Sequence, residues 1–464
     1  MRFLILLCYL MCSLSLQAAP SVPYLHPLIG DAEVKPLLTV GEAAGNGYRL
    51  AGGPDGLGAR DNGDGTLTVL MNHEIPADKG VPRAHGGKGA FVSRWTIRLA
   101  DLAVLRGEDL VRQVQLWDAV SASHNVVPAV AFGRFCSADL AADPAFTGSE
   151  GEGFDGRLLL NGEEEKDAGG RAFAHVVGGA QAGVSYELPH LGRVAWENLL
   201  ALPQSGHRTV VVGMDDYPGG HVYVYVGEKR RTGNPVEKAG LVGGALYAVR
   251  FEDRRFSLLP LGEVVGLDGK VLRARARQLG ATPLLRPEDG AWDKRDRNVF
   301  WFATTDRIDG KSQLFRLAFD DSQHPEQGGH VDEVLEAGEV GAQMFDNLAV
   351  DGDGRVLIEE DPGESDRLAA IWLYDPARPH TAQKLFESES RLFTNGGAEF
   401  MTEDEEHSGI IEVTGLLKSA PWAKPDRRYF FGVTQAHTPQ QDAELVEGGQ
   451  LWLIAIPAAS VRSP

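Results

Sequence analysis

Short acidic clusters recur along the chain, each beside a run of residues typical of a β-strand. They lie at 72–74, 161–165, 196–198, 214–216, 286–289, 359–361 and 398–400. Carboxylates at such distant positions are either ordinary loop charges or ligands that a closed fold brings together. Hard cations such as calcium take about six to eight oxygen ligands, mainly from carboxylates and carbonyls. If the clusters converge, the sequence therefore predicts a metal-dependent enzyme.

The charge balance excludes one class of partner. The 464 residues include 65 acidic and 45 basic side chains, for a formal net charge of -20. Nucleic-acid binding needs patches of Lys and Arg, so we expect no nucleic-acid partner. Most of the excess acid is expected on a solvated surface, and the run 403–406 is predicted to be a solvated acidic loop.

The N-terminus predicts a secretory signal over residues 1–19. Arg2 supplies a positive charge, an apolar run follows, and Ala18 and Ala19 offer a small-residue cleavage site. The apolar run is too short for a comfortable membrane span. We therefore expect a periplasmic or secreted protein with no membrane segment after cleavage.

Cysteine usage limits the chemistry further. Of three cysteines, Cys8 and Cys12 lie in the predicted signal, so the mature chain would keep only Cys136. An internal disulfide and a cysteine-rich zinc site are then excluded. Cys136 is expected to be a small, buried apolar side chain.

Strand patterns predict how the acidic clusters are positioned. Runs of β-forming residues occur at 66–71, 221–226, 299–304 and 451–456, and the recurring unit is a strand, an acidic loop and a second strand. Such repetition predicts an all-β fold, a β-propeller of about six blades, as a single domain over residues 20–464. The acidic loops would then converge at one mouth of the central channel. A pair of β-sandwiches is the structural alternative.

Several short motifs occur in a characteristic order. They are Asn72-His73-Glu74, Ala84-His85-Gly86-Gly87, Asn161-Gly162-Glu163-Glu164, Leu191-Gly192-Arg193 with Trp196-Glu197, Met214-Asp215-Asp216, Gly244-Ala245-Leu246-Tyr247-Ala248, Arg286-Pro287-Glu288-Asp289, Asn347-Leu348-Ala349-Val350-Asp351 and Val433-Thr434-Gln435-Ala436-His437. In these motifs and their order the chain resembles a divergent member of the PhoX-type alkaline phosphatase family. The resemblance covers most of residues 20–464.

The resemblance implies a secreted β-propeller that hydrolyses phosphomonoesters with calcium together with iron. The metal ligands that it implies are Glu163, Glu164, Glu197, Asp215, Glu288 and Asp361. It also implies that Arg286 binds phosphate as a catalytic residue, since a planar guanidinium suits bidentate phosphate contact. The metals would polarise the phosphoryl oxygens and activate an oxygen nucleophile.

One motif departs from the family pattern. The family's iron-bridging cysteine corresponds to Gly162, which has no side chain and cannot ligate, and Cys136 lies upstream of that position. A site made of oxygen ligands alone favours calcium or magnesium, and Ca2+ is the predicted cofactor. Fe3+ stays an open alternative that lacks its family ligand.

The sequence therefore predicts an exported, metal-dependent phosphoester hydrolase that acts on a small phosphorylated substrate as a monomer. Two alternatives stay open. One is a calcium-dependent phytase-like or phosphodiesterase propeller, and the other is a non-enzymatic binding propeller that calcium stabilises. Because propellers host many functions, the fold cannot decide between them.

Overall fold

The computed structural model describes residues 22–166 and 169–459, so the predicted signal segment 1–19 lies outside the described residues. The strands of the first half are β1 (Leu25–Pro27), β2 (Glu33–Thr39), β3 (Pro54–Asp61), β4 (Thr66–His73), β5 (Phe91–Arg98), β6 (Val104–Asp109), β7 (Gln113–Asp118), β8 (Ser123–Val126), β9 (Asp139–Leu140), β10 (Leu158–Gly162), β11 (Gly170–Val176), β12 (Val184–Glu187), β13 (Arg193–Val194), β14 (Trp196–Ala201), β15 (Arg208–Asp215), β16 (Pro218–Gly220) and β17 (Val222–Glu228). Those of the second half are β18 (Ala245–Glu252), β19 (Arg255–Pro260), β20 (Leu284–Leu285), β21 (Pro287–Trp292), β22 (Val299–Thr304), β23 (Gln313–Phe319), β24 (Gly329–Glu336), β25 (Phe345–Val350), β26 (Val356–Glu360), β27 (Ala370–Tyr374), β28 (Ala382–Ser388), β29 (Glu405–Glu412), β30 (Arg427–Ala436) and β31 (Gly448–Pro457).

Helices in the described part of the chain are short. The α-helices are α1 (Pro235–Lys238), α2 (Gly269–Leu279) and α3 (Ser390–Phe393), and the 3-10 turns are Asp143–Phe146, Pro189–Leu191, Pro325–Gln327 and Ala337–Glu339. None of these described helices has the length and apolarity needed to cross a bilayer.

Most strands pair antiparallel with their neighbours in sequence. The strand orders of the larger sheets are β3-β4-β5-β6, β8-β7-β12-β11-β10-β9, β14-β15-β17-β18-β19-β24-β23-β22-β21, β1-β28-β27-β26-β25 and β2-β31-β30-β29. In this arrangement each meander starts with one strand and moves outward, so the starting strands can gather at a common centre.

These innermost strands form a closed ring. The strands β3, β10, β14, β21, β25 and β29 contact one another in this circular order, with β9 completing the step from β10 to β3. Leu140 of β9 and Leu159 of β10 lie against Gly58 of β3 at that closure. The ring is that of a β-propeller and confirms the predicted fold class. The blade count stays a prediction, because the nine-stranded sheet runs through two meanders without a break.

Tryptophan side chains packed over glycines fix the spacing between two sheets in one case and within a sheet in another. A Cβ on Gly162 would lie 2.3 Å from Cβ of Trp196, and one on Gly432 would lie 2.1 Å from the Trp452 ring. Both tryptophans are fully buried. Glycine is required at these strand positions because the neighbouring ring occupies the side-chain space.

The two ends of the described chain meet at the outer edges of two sheets. Strand β1 pairs with β28, and β2 pairs with β31, both antiparallel. The backbone N–H of Tyr24 donates to Gln450 at 2.9 Å. Leu25 and Leu38 are buried in these contacts. The N-terminal strands therefore cover edges that C-terminal strands would otherwise expose.

Removal of residues 22–39 should destabilise the whole ring, because two sheets lose their edge strands and buried leucines. We expect a chain that begins at residue 40 to melt more than about 10 °C below the longer chain, or not to fold. A chain that begins at residue 22 is the control and should keep the melting temperature. Circular dichroism melts measure both, and equal melting temperatures would contradict this role of β1 and β2.

Candidate metal centre

The innermost strands carry the same irregularity at the same end. In β3, β14, β21 and β25, two residues of the inner strand lie opposite a single residue of the neighbouring strand. Each strand therefore contains a β-bulge. A bulge re-aims side chains and is common beside active sites. The first residue inside each bulge is acidic, namely Asp55, Glu197, Glu288 or Asp346, and in β21 Asp289 follows Glu288. Strand β29 has a comparable bulge between Ser408 and Ile410.

Two overlapping groups of carboxylates result. Oxygen atoms of Glu197, Glu288 and Asp346 all lie within 4.8 Å of one another, and so do those of Asp346, Asp361 and Glu406. Asp346 belongs to both groups. Five carboxylates from four sheet edges thus face one another at one mouth of the channel, and this is the arrangement that a cation with oxygen ligands requires.

Burial and mutual repulsion alter the acidity of this centre. Burial, and then the neighbouring carboxylates, raise the pKa of Glu288 and of Asp346 well above their ordinary values. Burial raises the pKa of Glu197 as well, although the Ser137 hydroxyl, which donates to it at 2.5 Å, opposes the change. Burial and Glu406 raise the pKa of Asp361 to about 8.

Glu406 differs from the other four because it has a cationic partner. Burial alone would raise its pKa, but His437 outweighs burial and lowers the pKa of Glu406 to about 2. His437 lies between Glu406 and Glu447, at 3.7 and 3.2 Å. These two carboxylates raise the pKa of His437 to about 12 in spite of its burial. This edge of the centre is therefore neutralised by the protein itself.

Arg286 stands beside the carboxylates at the mouth. Its Nε and one Nη donate to the two oxygens of Asp216 at 2.6 and 2.9 Å, and Glu288 lies 3.3 Å away. Its backbone φ is 41°, a conformation that side chains other than glycine rarely adopt. Its side chain is 26% exposed, so part of the guanidinium remains open to a ligand.

A second arginine lies across from the first group of carboxylates. Nε of Arg134 donates to Glu74 at 2.8 Å and lies 3.2 Å from Glu164. Burial, and then Asp216, raise the pKa of Glu164 to about 8 even though Arg134 opposes this. Arg134 is 46% exposed, so the mouth presents both buried carboxylates and accessible guanidinium groups.

A family model described as alkaline phosphatase PhoX matches residues 183–420, which is just over half of the chain. The chain belongs to the PhoX alkaline phosphatase family. Membership of this family supports a phosphoester hydrolase in general. No curated protein sequence matches the chain significantly.

Among solved structures, PhoX of Pseudomonas fluorescens in complex with vanadate, a transition state analogue, is similar in fold. The TM-score is 0.65 at 14% identity, over 93% of this chain and 96% of that chain. A Dyadobacter fermentans protein of unknown function gives 0.43 at 8% identity, over 93% and 99% of the two chains. The aldose sugar dehydrogenase of Escherichia coli gives 0.40 at 12%, over 92% and 100%. Of these three structures, only Pseudomonas fluorescens PhoX has a TM-score above 0.5, and its similarity supports the propeller fold.

Within this PhoX family member, two of the predicted ligands form ion pairs with arginine. Glu163 binds Arg171, with an oxygen 2.7 Å from its Nε, and accepts the Gly133 backbone N–H at 3.0 Å. Asp215 forms a bidentate, fully buried pair with Arg273 at 2.8 and 2.6 Å. These carboxylates already have cationic partners, and their assignment as ligands gains no support from these contacts.

The structure brings the other predicted residues together. Glu197, Glu288 and Asp361 lie in the two carboxylate groups, Arg286 lies beside them, and Glu164 lies at the edge near Arg134. A polar floor supports them. Asn347 donates to the Ser137 hydroxyl at 2.7 Å, and this hydroxyl in turn donates to Glu197.

Sequence reasoning missed Asp55, Asp216, Asp346 and Glu406. The prediction of a solvated loop at 403–406 is wrong for its second half, since Glu405 and Glu406 are buried at the start of β29. A repeated pattern could have found two of the others. Pro-Asp-Gly at 54–56, Trp-Glu-Asn at 196–198, Pro-Glu-Asp at 287–289 and Phe-Asp-Asn at 345–347 occupy equivalent bulges.

The stability of the chelated protein should fall as the pH rises from about 5 to 8. The pKa of Asp361 is about 8 in the folded protein against an ordinary 3.8, so the folded state holds more protons than the unfolded state in this window. The stabilisation that comes from protonated Asp361 is therefore complete at low pH and is lost as the pH rises through the pKa of Asp361 in the folded protein. A saturating cation should remove the loss, because it replaces the proton.

Scanning calorimetry across this window, with chelator or with Ca2+, measures the effect. Asp361→Asn should reduce the fall, whereas Glu33→Gln, whose carboxylate is 61% exposed, should leave it unchanged. The same pH dependence of the melting temperature in chelated Asp361→Asn and in the chelated parent would contradict the raised pKa of Asp361.

Proposed function

We propose that this PhoX family member is an exported, calcium-dependent phosphatase that hydrolyses small phosphorylated substrates. The observation that carries the proposal is the meeting of Glu197, Glu288 and Asp346 within 4.8 Å, with Arg286 3.3 Å from Glu288. Carboxylates that hold a cation beside a guanidinium that binds an anion suit a phosphoester, which carries negative charge on several oxygens.

The residues present fit a hard cation. The ligand atoms of the two groups are carboxylate oxygens, the kind that calcium prefers. Oε1 of Glu288 is buried and accepts no hydrogen bond from the described residues, and its cationic neighbour is Arg286 at 3.3 Å. A bound cation would complete the contacts of this oxygen. The ligands that we propose are Glu197, Glu288, Asp346, Asp361 and Glu406. When bound, calcium would supply Lewis-acid polarisation of a phosphoryl oxygen.

Arg286 would bind and orient the phosphoryl group. Asp216 holds one edge of the guanidinium through two hydrogen bonds, which fixes its plane and leaves Nη1 without a hydrogen bond to this carboxylate. A left-handed backbone at a residue other than glycine costs on the order of 1–3 kcal/mol and is typical of functional sites. The strained φ of 41° at Arg286 therefore supports a role that requires this placement.

Export and the monomeric state belong to the proposal and rest on the predicted signal 1–19 and on the family. The alternatives differ in substrate. A phytase-like or phosphodiesterase propeller would use the same centre on other phosphoesters, and a binding propeller would hold calcium without turnover. Among the described residues, no contact favours either of them over the phosphatase.

Arg286→Lys should lower kcat/KM for p-nitrophenyl phosphate by about 100-fold or more, while calcium binding persists. Lysine keeps the charge but cannot reproduce the bidentate geometry on phosphate or the pair with Asp216. Arg98→Lys is the matched control, because its exposed pair with Asp101 lies on the outer surface. Assays on bis-p-nitrophenyl phosphate test the diesterase alternative, and an unchanged kcat/KM in the lysine variant would contradict the role of Arg286.

Asp346→Asn should weaken calcium binding more than any other single substitution, because Asp346 belongs to both carboxylate groups. Isothermal titration with Ca2+ should show at least about a tenfold weaker affinity, with turnover lost in parallel. Glu163→Gln removes a neighbouring buried carboxylate that binds Arg171 instead, so it should keep both calcium affinity and turnover. Equal calcium affinity in Asp346→Asn and the parent would contradict the proposed ligand set.

A further inference from the structure

A third group of ligand atoms lies beside the carboxylate centre and differs from it in chemistry. One carboxylate oxygen each of Asp55 and Glu74 and Sγ of Cys136 all lie within 4.8 Å of one another. Asp55 is 3% exposed, Cys136 is 5% exposed, and the Glu74 side chain is 7% exposed. Sγ of Cys136 also lies 3.7 Å from Glu164.

The position of the thiol is fixed by its backbone. The Cys136 carbonyl accepts a hydrogen bond from Nδ2 of Asn72 at 2.7 Å and from the Gly56 backbone N–H at 3.2 Å. A Cβ on Gly56 would lie 2.3 Å from the Ala138 nitrogen, so only glycine permits this approach. The β3 bulge that directs Asp55 inward is therefore the same feature that holds Cys136 in place.

One atom of the group has no hydrogen-bond partner. Oδ1 of Asp55 is buried and accepts no hydrogen bond from the described residues. Its other oxygen meets only Nε2 of Gln435, at a long 3.5 Å. A buried carboxylate oxygen without a partner is costly, and a bound cation is one way of satisfying it.

Position 162 cannot supply a thiolate in this chain. It is a glycine, and a Cβ there would lie 2.3 Å from Cβ of Trp196, a residue of the hydrophobic core. Cys136 is the free cysteine of the described residues, and it enters the mouth from the segment before β9. The sulfur that the resemblance places at position 162 is therefore available from a different part of the chain.

We propose that Asp55, Glu74 and Cys136 bind a thiolate-accepting transition-metal ion, separate from the oxygen-only calcium centre. The thiol proton is released to solvent when the metal–sulfur bond forms. Soft sulfur ligands select metals such as iron or zinc, whereas calcium prefers oxygen. The two carboxylates and the thiolate carry three negative charges, and Arg134, bound to Glu74, supplies one positive charge. One divalent ion would neutralise the remainder. This site would hold a metal in addition to the proposed calcium. Metal binding here does not depend on the proposed function, whereas a role of this metal in turnover does.

The ligand geometry agrees with this assignment. Metal–sulfur and metal–oxygen bonds of about 2.0–2.3 Å keep ligand atoms within roughly 4.6 Å of one another. The observed limit of 4.8 Å needs only a small adjustment. Exposed Arg134 covers the group on the solvent side.

Titration of the chelated protein with Co2+ tests the proposal. Mass spectrometry first confirms that Cys8 and Cys12 are absent, so that any thiolate is Cys136. We expect a thiolate-to-cobalt charge-transfer band in the near ultraviolet that saturates at about one ion per chain and survives excess Ca2+. Cys136→Ser should abolish the band, and Glu163→Gln should keep it. Absence of the band, or its persistence in Cys136→Ser, would overturn the site.

A second readout does not depend on a cysteine variant that folds. X-ray absorption at the cobalt edge of the unmodified protein should show sulfur in the first coordination shell, and Asp55→Asn should weaken cobalt binding by roughly tenfold or more. Oxygen-only coordination would overturn the proposal. A cobalt–thiolate band in a protein that hydrolyses no phosphoester would support this site and contradict the proposed function. Normal turnover without the band would support the proposed function and contradict this site.

Discussion

Carboxylates held close together away from water are the constraint on which the rest of this structure depends. Like charges repel strongly in a medium of low polarity, so such a group persists only if protons or cations neutralise it. A rigid ring is needed to prevent the side chains from turning out to solvent. The repeated bulges of the innermost strands meet this need, since each one fixes an acidic side chain through the backbone rather than through a flexible loop.

Arginine partners separate two kinds of buried carboxylate. Asp215 of β15 with Arg273 of α2, and Glu163 with Arg171 of β11, form ion pairs that join neighbouring elements. The shared carboxylate Asp346 has no such bidentate arginine among the described residues, and its pKa rises accordingly. A buried carboxylate with a bidentate arginine thus acts as structural support, whereas Asp346 depends on a proton or a cation for neutralisation.

The fold and part of the centre could be predicted from the sequence, because alternating strands and ordered motifs are local signals. Glu197 was predictable from its motif. The choice between Asp215 and Asp216 was not, since a shift of one residue reverses the face of a strand. Asp346 has no acidic neighbour to mark it. Cys136 was interpreted as an apolar side chain because the carboxylates near it, Asp55 and Glu74, are distant in sequence.

Strands from opposite ends of the chain close the ring. Residues from both ends of the chain also supply the carboxylates at its mouth. Asp55 comes from β3 and Glu406 from β29, and β29 belongs to the sheet that β2 completes. A nascent chain cannot assemble these ligands until nearly all of it has been synthesised. The proposed metal binding would therefore be a late event of folding, and the compartment in which the chain finishes folding would determine which ions compete for the centre.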